Sequence, residues 1–387
     1  MKYNFDELIP RRNTHCFKWD LAADDDILPM WVADMDFQTA PAIIDALARR
    51  VQHGIFGYAM PPAAYFEAVI GWFERNHHFS IQKEWIRYTT GVLPAISAIL
   101  KALTVPGDQV IVQTPVYHCF FSVIRNNGCE IVSNELIYQA GVYRIDFDDL
   151  ERKASDPKAK LMLLCSPHNP TGRVWTKDEL LRIGEICLRH RLIVISDEIH
   201  CDLVFPGHQH IPFASLSDEF RQITATCTAP TKTFNLAGVQ VAHVIVSDES
   251  IRSKVSHALS VNEVSGINAF AVEAVIAAYN EGQEWLDELK IYLYANYQYL
   301  NDYINAELPL VKVLPLEATY LVWMDFSSFN LSSNTFAHNL LDMERLWVNE
   351  GVMYGSNGEG FIRMNIACPK VLLSQGLVKL KNQYQNL

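Results

Sequence analysis

Short apolar runs that end in turn-forming residues set the rhythm of the middle of this chain. Gln109 to Gln113 runs into Thr114-Pro115-Val116-Tyr117-His118, and Leu161 to Cys165 runs into Ser166-Pro167-His168-Asn169-Pro170-Thr171-Gly172. Leu192 to Ser196 is followed by Asp197-Glu198-Ile199-His200. Ile223 to Cys227 leads into Thr228-Ala229-Pro230-Thr231-Lys232-Thr233-Phe234-Asn235-Leu236-Ala237-Gly238, and a further apolar run, Val239 to Val246, comes next. Runs this short and without polar alternation predict strands covered on both faces. Lys177 to His190 has helical spacing between two of them, which makes a βαβ unit and a mostly parallel sheet. The expected fold class is therefore α/β, doubly wound.

Helical spacing also predicts helices over Ala40 to His53, where Ile43, Ile44, Leu47 and Val51 form the stripe, and over Ala63 to Asn76. Another starts close to Pro94, with apolar residues at Ile96, Ile99, Leu100 and Leu103. Ser250 to Asn280 reads as helical. Helix-rich sequence then runs to about Asn305, followed by strand-like Lys312 to Leu314 and Tyr320 to Met324, the segment Gly360 to Pro369 and a final helix. This places an N-terminal arm over 1–45, a large domain over 46–280 and a C-terminal part over 281–387 that joins the arm in a smaller α+β domain.

In a doubly wound sheet the ligand crevice lies outside the C-terminal ends of the strands. Tyr117, Asn169, Asp197 and Lys232 all fall there. Lys232 is the most demanding, because it sits between two apolar runs and an unpaired ammonium is costly to bury. Desolvation lowers the pKa of such an amine and fits it to form a Schiff base with an aldehyde. Asp36, in the apolar stretch Leu28 to Phe37, reads equally well as a turn or N-cap before Pro41 and as a substrate-pocket residue.

Composition narrows the function. Of 387 residues 49% are hydrophobic and 20% charged, which is ordinary for a globular protein with a large core. The formal net charge of −12 argues against nucleic acid or an anionic membrane as partner. Eight cysteines without a C-x-x-C pair read as core residues, and a reducing cytoplasm is expected. No leader-like or membrane-spanning run is seen. His208 and His210 have metal-like spacing, but in a polar loop flanked by Gly and Pro; no metal is expected there.

Pyridoxal 5′-phosphate asks for a lysine, an anion at the ring nitrogen, a phosphate cradle and a cover for the ring face. Lys232, Asp197, the helix start at Val92-Leu93-Pro94 and Tyr117 meet those demands in turn. The free N–H groups and positive dipole end of that helix favour an anion.

At this point the chain resembles a known family. Ser166 to Gly172, Ser196 to His200 and the lysine segment look like fold-type I, class I/II aminotransferase-like enzymes. Trp31 to Phe37, Gly54-Ile55-Phe56-Gly57-Tyr58, Gln113 to Tyr117, His200 and Phe361 to Pro369 resemble its MalY/PatB-type cystathionine β-lyase branch, and the similarity runs from end to end. The resemblance implies pyridoxal phosphate on Lys232, with Asn169 on the ring-hydroxyl side and Tyr117 stacked on the ring. It implies that backbone at Val92 and Leu93, with Thr231, holds the phosphate, and that Tyr58 reaches it from a neighbouring subunit of a homodimer. Arg363 would clamp the substrate α-carboxylate, with Asn169, Ala33 and Asp34 around the substrate. His200 stands where general aminotransferases place a tyrosine, which favours the lyase branch. Ala229 and Gln240 replace a phosphate-binding Ser and Arg of the broader family, which shifts the phosphate load to backbone N–H groups and Tyr58. The implied reaction is α,β-elimination on L-cystathionine or related cysteine S-conjugates, giving thiol, pyruvate and ammonia; the alternative is an amino-acid aminotransferase. Some members of the branch also bind a transcription regulator, but no DNA-binding motif is present here.

Overall fold

The computed structural model describes residues 2–22 and 24–386. Its main sheet has seven strands: β1 (Ile86–Thr89), β2 (Gln109–Val112), β3 (Glu130–Ser133), β4 (Ala159–Cys165), β5 (Ile193–Asp197), β6 (Thr224–Thr228) and β7 (Ala242–Ile245). Their spatial order is β1-β7-β6-β5-β4-β2-β3. The pairs from β6 across to β3 are parallel, as the unbroken apolar runs predict. β7 is antiparallel to both β6 and β1. The reason is the link: between β6 and β7 lie only a short helix, Pro230–Thr233, and the 3-10 turn Ala237–Val239, too little chain for a parallel crossover. Lys232 thus sits within a helical turn, not a loop. The run from Val239 also becomes strand only at Ala242, because Gln240 turns left-handed at φ 56°.

Helices α1 (Pro41–His53), α2 (Ala63–His77) and α3 (Val92–Leu103) lie close to their predicted spans. α3 starts two residues before Pro94, so the proline occupies the first turn, where its missing N–H costs no bond. The long helix expected over Ser250 to Asn280 is two, Glu249–Val261 and Ala269–Glu281. Glu263 at φ 55° breaks it, and the Asn268 side chain caps the second piece. After the 25-residue helix α4 (Gln283–Glu307) comes an antiparallel sheet of β8 (Lys312–Val313), β9 (Leu321–Asp325), β10 (Asn349–Glu350) and β11 (Phe361–Asn365), in the order β8-β9-β11-β10. Among the described residues no helix is long and apolar enough to cross a membrane.

The N-terminal segment joins the two sheets. Leu28–Pro29 pairs in parallel with Leu346–Trp347. Beyond it, residues 31–37 form a strap whose backbone is held by side chains. Asn349 and Arg363 donate to the Trp31 carbonyl, and Asn365 donates to those of Val32 and Asp34. Asn235 accepts from the Met35 N–H and donates to the Met35 and Phe37 carbonyls. Four charges lock the strap from behind. Buried Asp36 accepts from Lys18 Nζ at 2.6 Å, Arg11 Nη1 at 2.6 Å and Trp19 Nε1 at 2.9 Å. Asp34 pairs with Arg11 at 2.6 Å and Lys18 at 3.4 Å. Asp36 is therefore neither an N-cap nor a substrate group: Ala40 precedes α1 with no side-chain cap, and both carboxylate oxygens of Asp36 are taken by Arg11, Lys18 and Trp19 of the arm.

Burial alone would raise the Asp36 pKa, yet Lys18 and Arg11 hold it below the usual carboxylate range. Lys18→Met should cost about 3–5 kcal/mol, because it leaves buried carboxylate charge uncompensated. Asp36 is depressed in the folded state, so its stabilisation is present above the unfolded carboxyl pKa of about 4 and is lost as pH falls through the folded value. Denaturant titrations should therefore show wild type and Lys18→Met converging in acid. A constant difference from pH 7 to pH 3 would contradict the assignment.

Candidate active site

A cavity of about 240 Å³ opens at the C-terminal ends of β4, β5 and β6. Tyr117, Asn169, Asp197, His200, Thr231 and Lys232 line it, with the N-terminus of α3 at Gly91, Val92 and Leu93 and the strap at Ala33. The strand-end candidates thus meet in one place. Buried parallel strands end there because their polar termini must reach a cleft.

Lys232 donates from Nζ to the Ala33 carbonyl at 2.5 Å. Burial lowers its pKa to about 8; the nearby charges of Asp34 and Asp197 resist the shift, and Arg363 adds to it. At pH 7 about a tenth of the amine is then neutral and able to act as nucleophile or base, far more than for an ordinary lysine. Asp197, the last residue of β5, accepts from the Ile199 N–H at 3.2 Å. Burial and the neighbouring Glu198 push its pKa up to about 7, and Lys232 offsets this only in part. A buried carboxylate in that state lacks a close cation, and a protonated ring nitrogen would supply one. His200 is buried with Nδ1 unpartnered; burial, together with Lys232 and Arg363, lowers its pKa to about 3, so the ring is neutral.

Arg363, on β11, is 3% exposed. Its Nη1 donates to Asn169 Oδ1 at 3.0 Å, and its Nη2 to the Trp31 carbonyl at 2.8 Å. Its Nε has no partner, and the guanidinium carbon lies 5.0 Å from the Tyr354 ring centroid. Among the described residues no carboxylate pairs with it. A buried guanidinium with only neutral partners is a site for an anion.

At the other end, α3 begins without a side-chain cap. Gly91, Val92 and Leu93, with Thr231, line the cavity here, and the first N–H groups of a helix have no intrahelical partner and suit an anion. Apart from Lys232 no Lys or Arg lines this cavity, and Gln240 is exposed and Ala229 buried, so the cradle is one of backbone and hydroxyl groups. A desolvated lysine, a cation-seeking carboxylate, an uncapped helix end and an aromatic wall at Tyr117 together fit pyridoxal phosphate.

Three predicted residues do not line the cavity. Arg363 stands behind its wall and reaches it through Asn169, to which it donates. Tyr58 is fully exposed on the loop between α1 and α2, beside exposed Ile55, Phe56 and Met60. Asp34 does not line the cavity; Arg11 and Lys18 hold it, and it acts on Lys232 through charge. Sequence reasoning missed Asn235, Asn365, Asn349 and Tyr320, which fix the strap over Lys232; the Tyr320 hydroxyl shares the Ala33 carbonyl at 3.1 Å. Two acids inside an apolar stretch were a signal that buried cations must follow, and Lys18 and Arg11 are those cations.

In cofactor-free protein Lys232 should titrate near 8, read by NMR of isotope-labelled lysine or by pH-dependent amine modification. Asp34→Asn should lower that value and Arg363→Met should raise it, since the first removes an opposite charge and the second a like one. A midpoint at the ordinary lysine value of about 10.4 would contradict the desolvated site.

The description "Aminotransferase class I and II" matches residues 25–379. The chain is 46% identical to cystathionine beta-lyase PatB of Bacillus subtilis, over 98% of this chain and 99% of that one. It is 36% identical to protein MalY of Escherichia coli over 98% of each. Cystalysin of Treponema denticola, whose crystal structure contains a pyridoxal 5′-phosphate cofactor, superposes with a TM-score of 0.97 at 34% identity, covering 100% of both chains. With the fold, the lysine site and these matches in agreement, the chain belongs to the class I and II aminotransferase family of pyridoxal-phosphate enzymes, in the branch of PatB and MalY.

Proposed function

We propose that this protein is a carbon–sulfur β-lyase acting on L-cystathionine and related cysteine S-conjugates, and that it releases thiol, pyruvate and ammonia. The observation that carries the reading within the site is Arg363. It is a buried guanidinium without a carboxylate partner, bonded to Asn169 and set among the charges that act on Lys232. A substrate α-carboxylate on Arg363 fixes the amino acid by its common end, so that its Cα faces Lys232. The relationship to PatB, named a cystathionine beta-lyase, supports the choice of substrate class.

Pyridoxal phosphate would supply an aldehyde for the substrate amine and a ring able to accept the electron pair at Cα. The remaining work falls to the chain. Lys232, its amine poised near neutral pH, removes the Cα proton as general base. Asp197 holds positive charge at the ring nitrogen, which makes the ring a better electron acceptor. Val92 and Leu93 N–H groups and Thr231 would hold the phosphate, and Tyr117 would cover the ring. His200, held neutral by burial, and Asn169 would stand on the ring-hydroxyl side without adding charge. The β-thiolate leaves and is protonated to the thiol, and the three-carbon remainder takes up one water to give pyruvate and ammonia. Tyr58 completes the cradle of a partner subunit in a cytoplasmic homodimer; the exposed apolar loop that carries it supports this reading.

Lys232→Ala should abolish turnover in a pyruvate-release assay. Arg363→Lys keeps the charge but loses the planar fork, and should raise KM about 10- to 100-fold with a smaller effect on kcat. A KM left unchanged would remove Arg363 from the substrate site. Light scattering should give a mass of two chains, and Tyr58→Phe should loosen the cofactor without dissociating the dimer; a monomer with a full cofactor load would contradict the shared site.

A further inference from the structure

A second cavity, of about 140 Å³, lies against the end of α2, the segment 201–210 and α4. Its lining includes His77, Cys201, Asp202, His208 and His210. None of these has a part in the proposed lyase chemistry. His77, Cys201 and Asp202 are all buried, and their candidate ligand atoms lie within 4.8 Å of one another. Imidazole nitrogen, thiolate sulfur and carboxylate oxygen are together the donor set of a borderline-soft divalent ion.

The charges point the same way. Asp202 accepts from Trp72 Nε1 at 2.9 Å, Thr233 Oγ1 at 2.7 Å and His77 Nε2 at 2.7 Å. Glu198 accepts from Ser196, from the Phe213 N–H and from His210 Nε2, the last at 3.2 Å. Among the described residues neither buried carboxylate has a Lys or Arg partner, and Lys290, which lines the cavity, pairs with neither. Buried carboxylates normally meet a cation or a metal. His210 is 4% exposed, and its Nδ1 is buried with no hydrogen-bond partner, while Glu198 holds the opposite nitrogen. A carboxylate on one imidazole nitrogen is the arrangement that orients the other toward a metal. The His77 and His210 ring centroids are 5.6 Å apart.

We propose that this cavity binds a transition-metal ion of the zinc class through His77, Cys201 and Asp202, with water or the nearby His210 imidazole at the fourth position. The ion takes the place of the proton between His77 Nε2 and Asp202 Oδ1. Zinc bonds to N and O of about 2.0–2.1 Å at a tetrahedral angle set those atoms roughly 3.3 Å apart, so the pair has to open by only about 0.6 Å. The proton on His77 Nε2 moves to Nδ1 as that nitrogen binds the ion, and the Cys201 thiol proton leaves to solvent as the sulfur–metal bond forms, so one proton is released per ion bound.

The test is a zinc titration of the pyridoxal-phosphate-loaded protein, previously dialysed against a strong chelator, in competition with a chromophoric chelator. One equivalent per chain is expected, with affinity at least about 10- to 100-fold weaker in Cys201→Ser and in His77→Gln. Lys232→Ala should leave that affinity unchanged, which separates this cavity from metal held at the cofactor. In the wild type, cobalt substitution should give tetrahedral d–d absorption and a thiolate charge-transfer band, a readout that needs no variant to fold. The proposal is overturned by no uptake in the wild type, by unchanged affinity in Cys201→Ser, by loss of uptake in Lys232→Ala, or by a cobalt spectrum without sulfur ligation. None of those results bears on the lyase reading.

Discussion

The structure depends on keeping the Lys232 amine out of water without leaving it stranded. Its surroundings hold two carboxylates, Asp34 and Asp197, against one guanidinium, Arg363, and its hydrogen bond goes to a backbone carbonyl, that of Ala33. The result is a pKa of about 8 in place of an ordinary ammonium. Each neighbour is set for the same purpose from a different element: Asp197 ends β5, Arg363 lies in β11, and Asp34 belongs to the strap. The main sheet alone does not make the site; it needs the antiparallel sheet and the arm to deliver the other charges.

That explains the cost put into residues 31–37. Three asparagines and an arginine hold their backbone, and four charges lock them from behind. A buried two-by-two ion cluster is poor as a source of net stability but good at fixing one arrangement, because any slip leaves a charge unpaired. The strap can then present the Ala33 carbonyl to Lys232 in one register.

Much of this was legible in the sequence. The unbroken apolar runs gave the buried parallel strands, and the turn residues after them marked Tyr117, Asn169, Asp197 and Lys232, because burial on both faces leaves chemistry only at strand ends. The antiparallel β7 was not legible, since a short apolar run carries no direction; only the shortness of the 229–241 link reveals it. Arg363 and Tyr58 were marked by family resemblance alone. An arginine in an apolar strand reads as a misplaced surface residue until its neighbours are known, and Asp36 read equally as a cap and as a pocket residue because its partners Lys18 and Arg11 come earlier in the chain with no periodic relation to it. The charge balance of a buried site is a property of the fold, and pairwise spacing does not encode it.

The central claim is that this lysine site expels a thiolate from Cβ. The most direct measurement incubates the pyridoxal-phosphate-loaded protein with L-cystathionine, with no keto acid added, and quantifies pyruvate and free thiol over many turnovers. Equal amounts of both, rising without limit until substrate is spent, is the predicted result. A single turnover that stops with the cofactor in its amine form and resumes on adding a keto acid would contradict it and identify a transaminase.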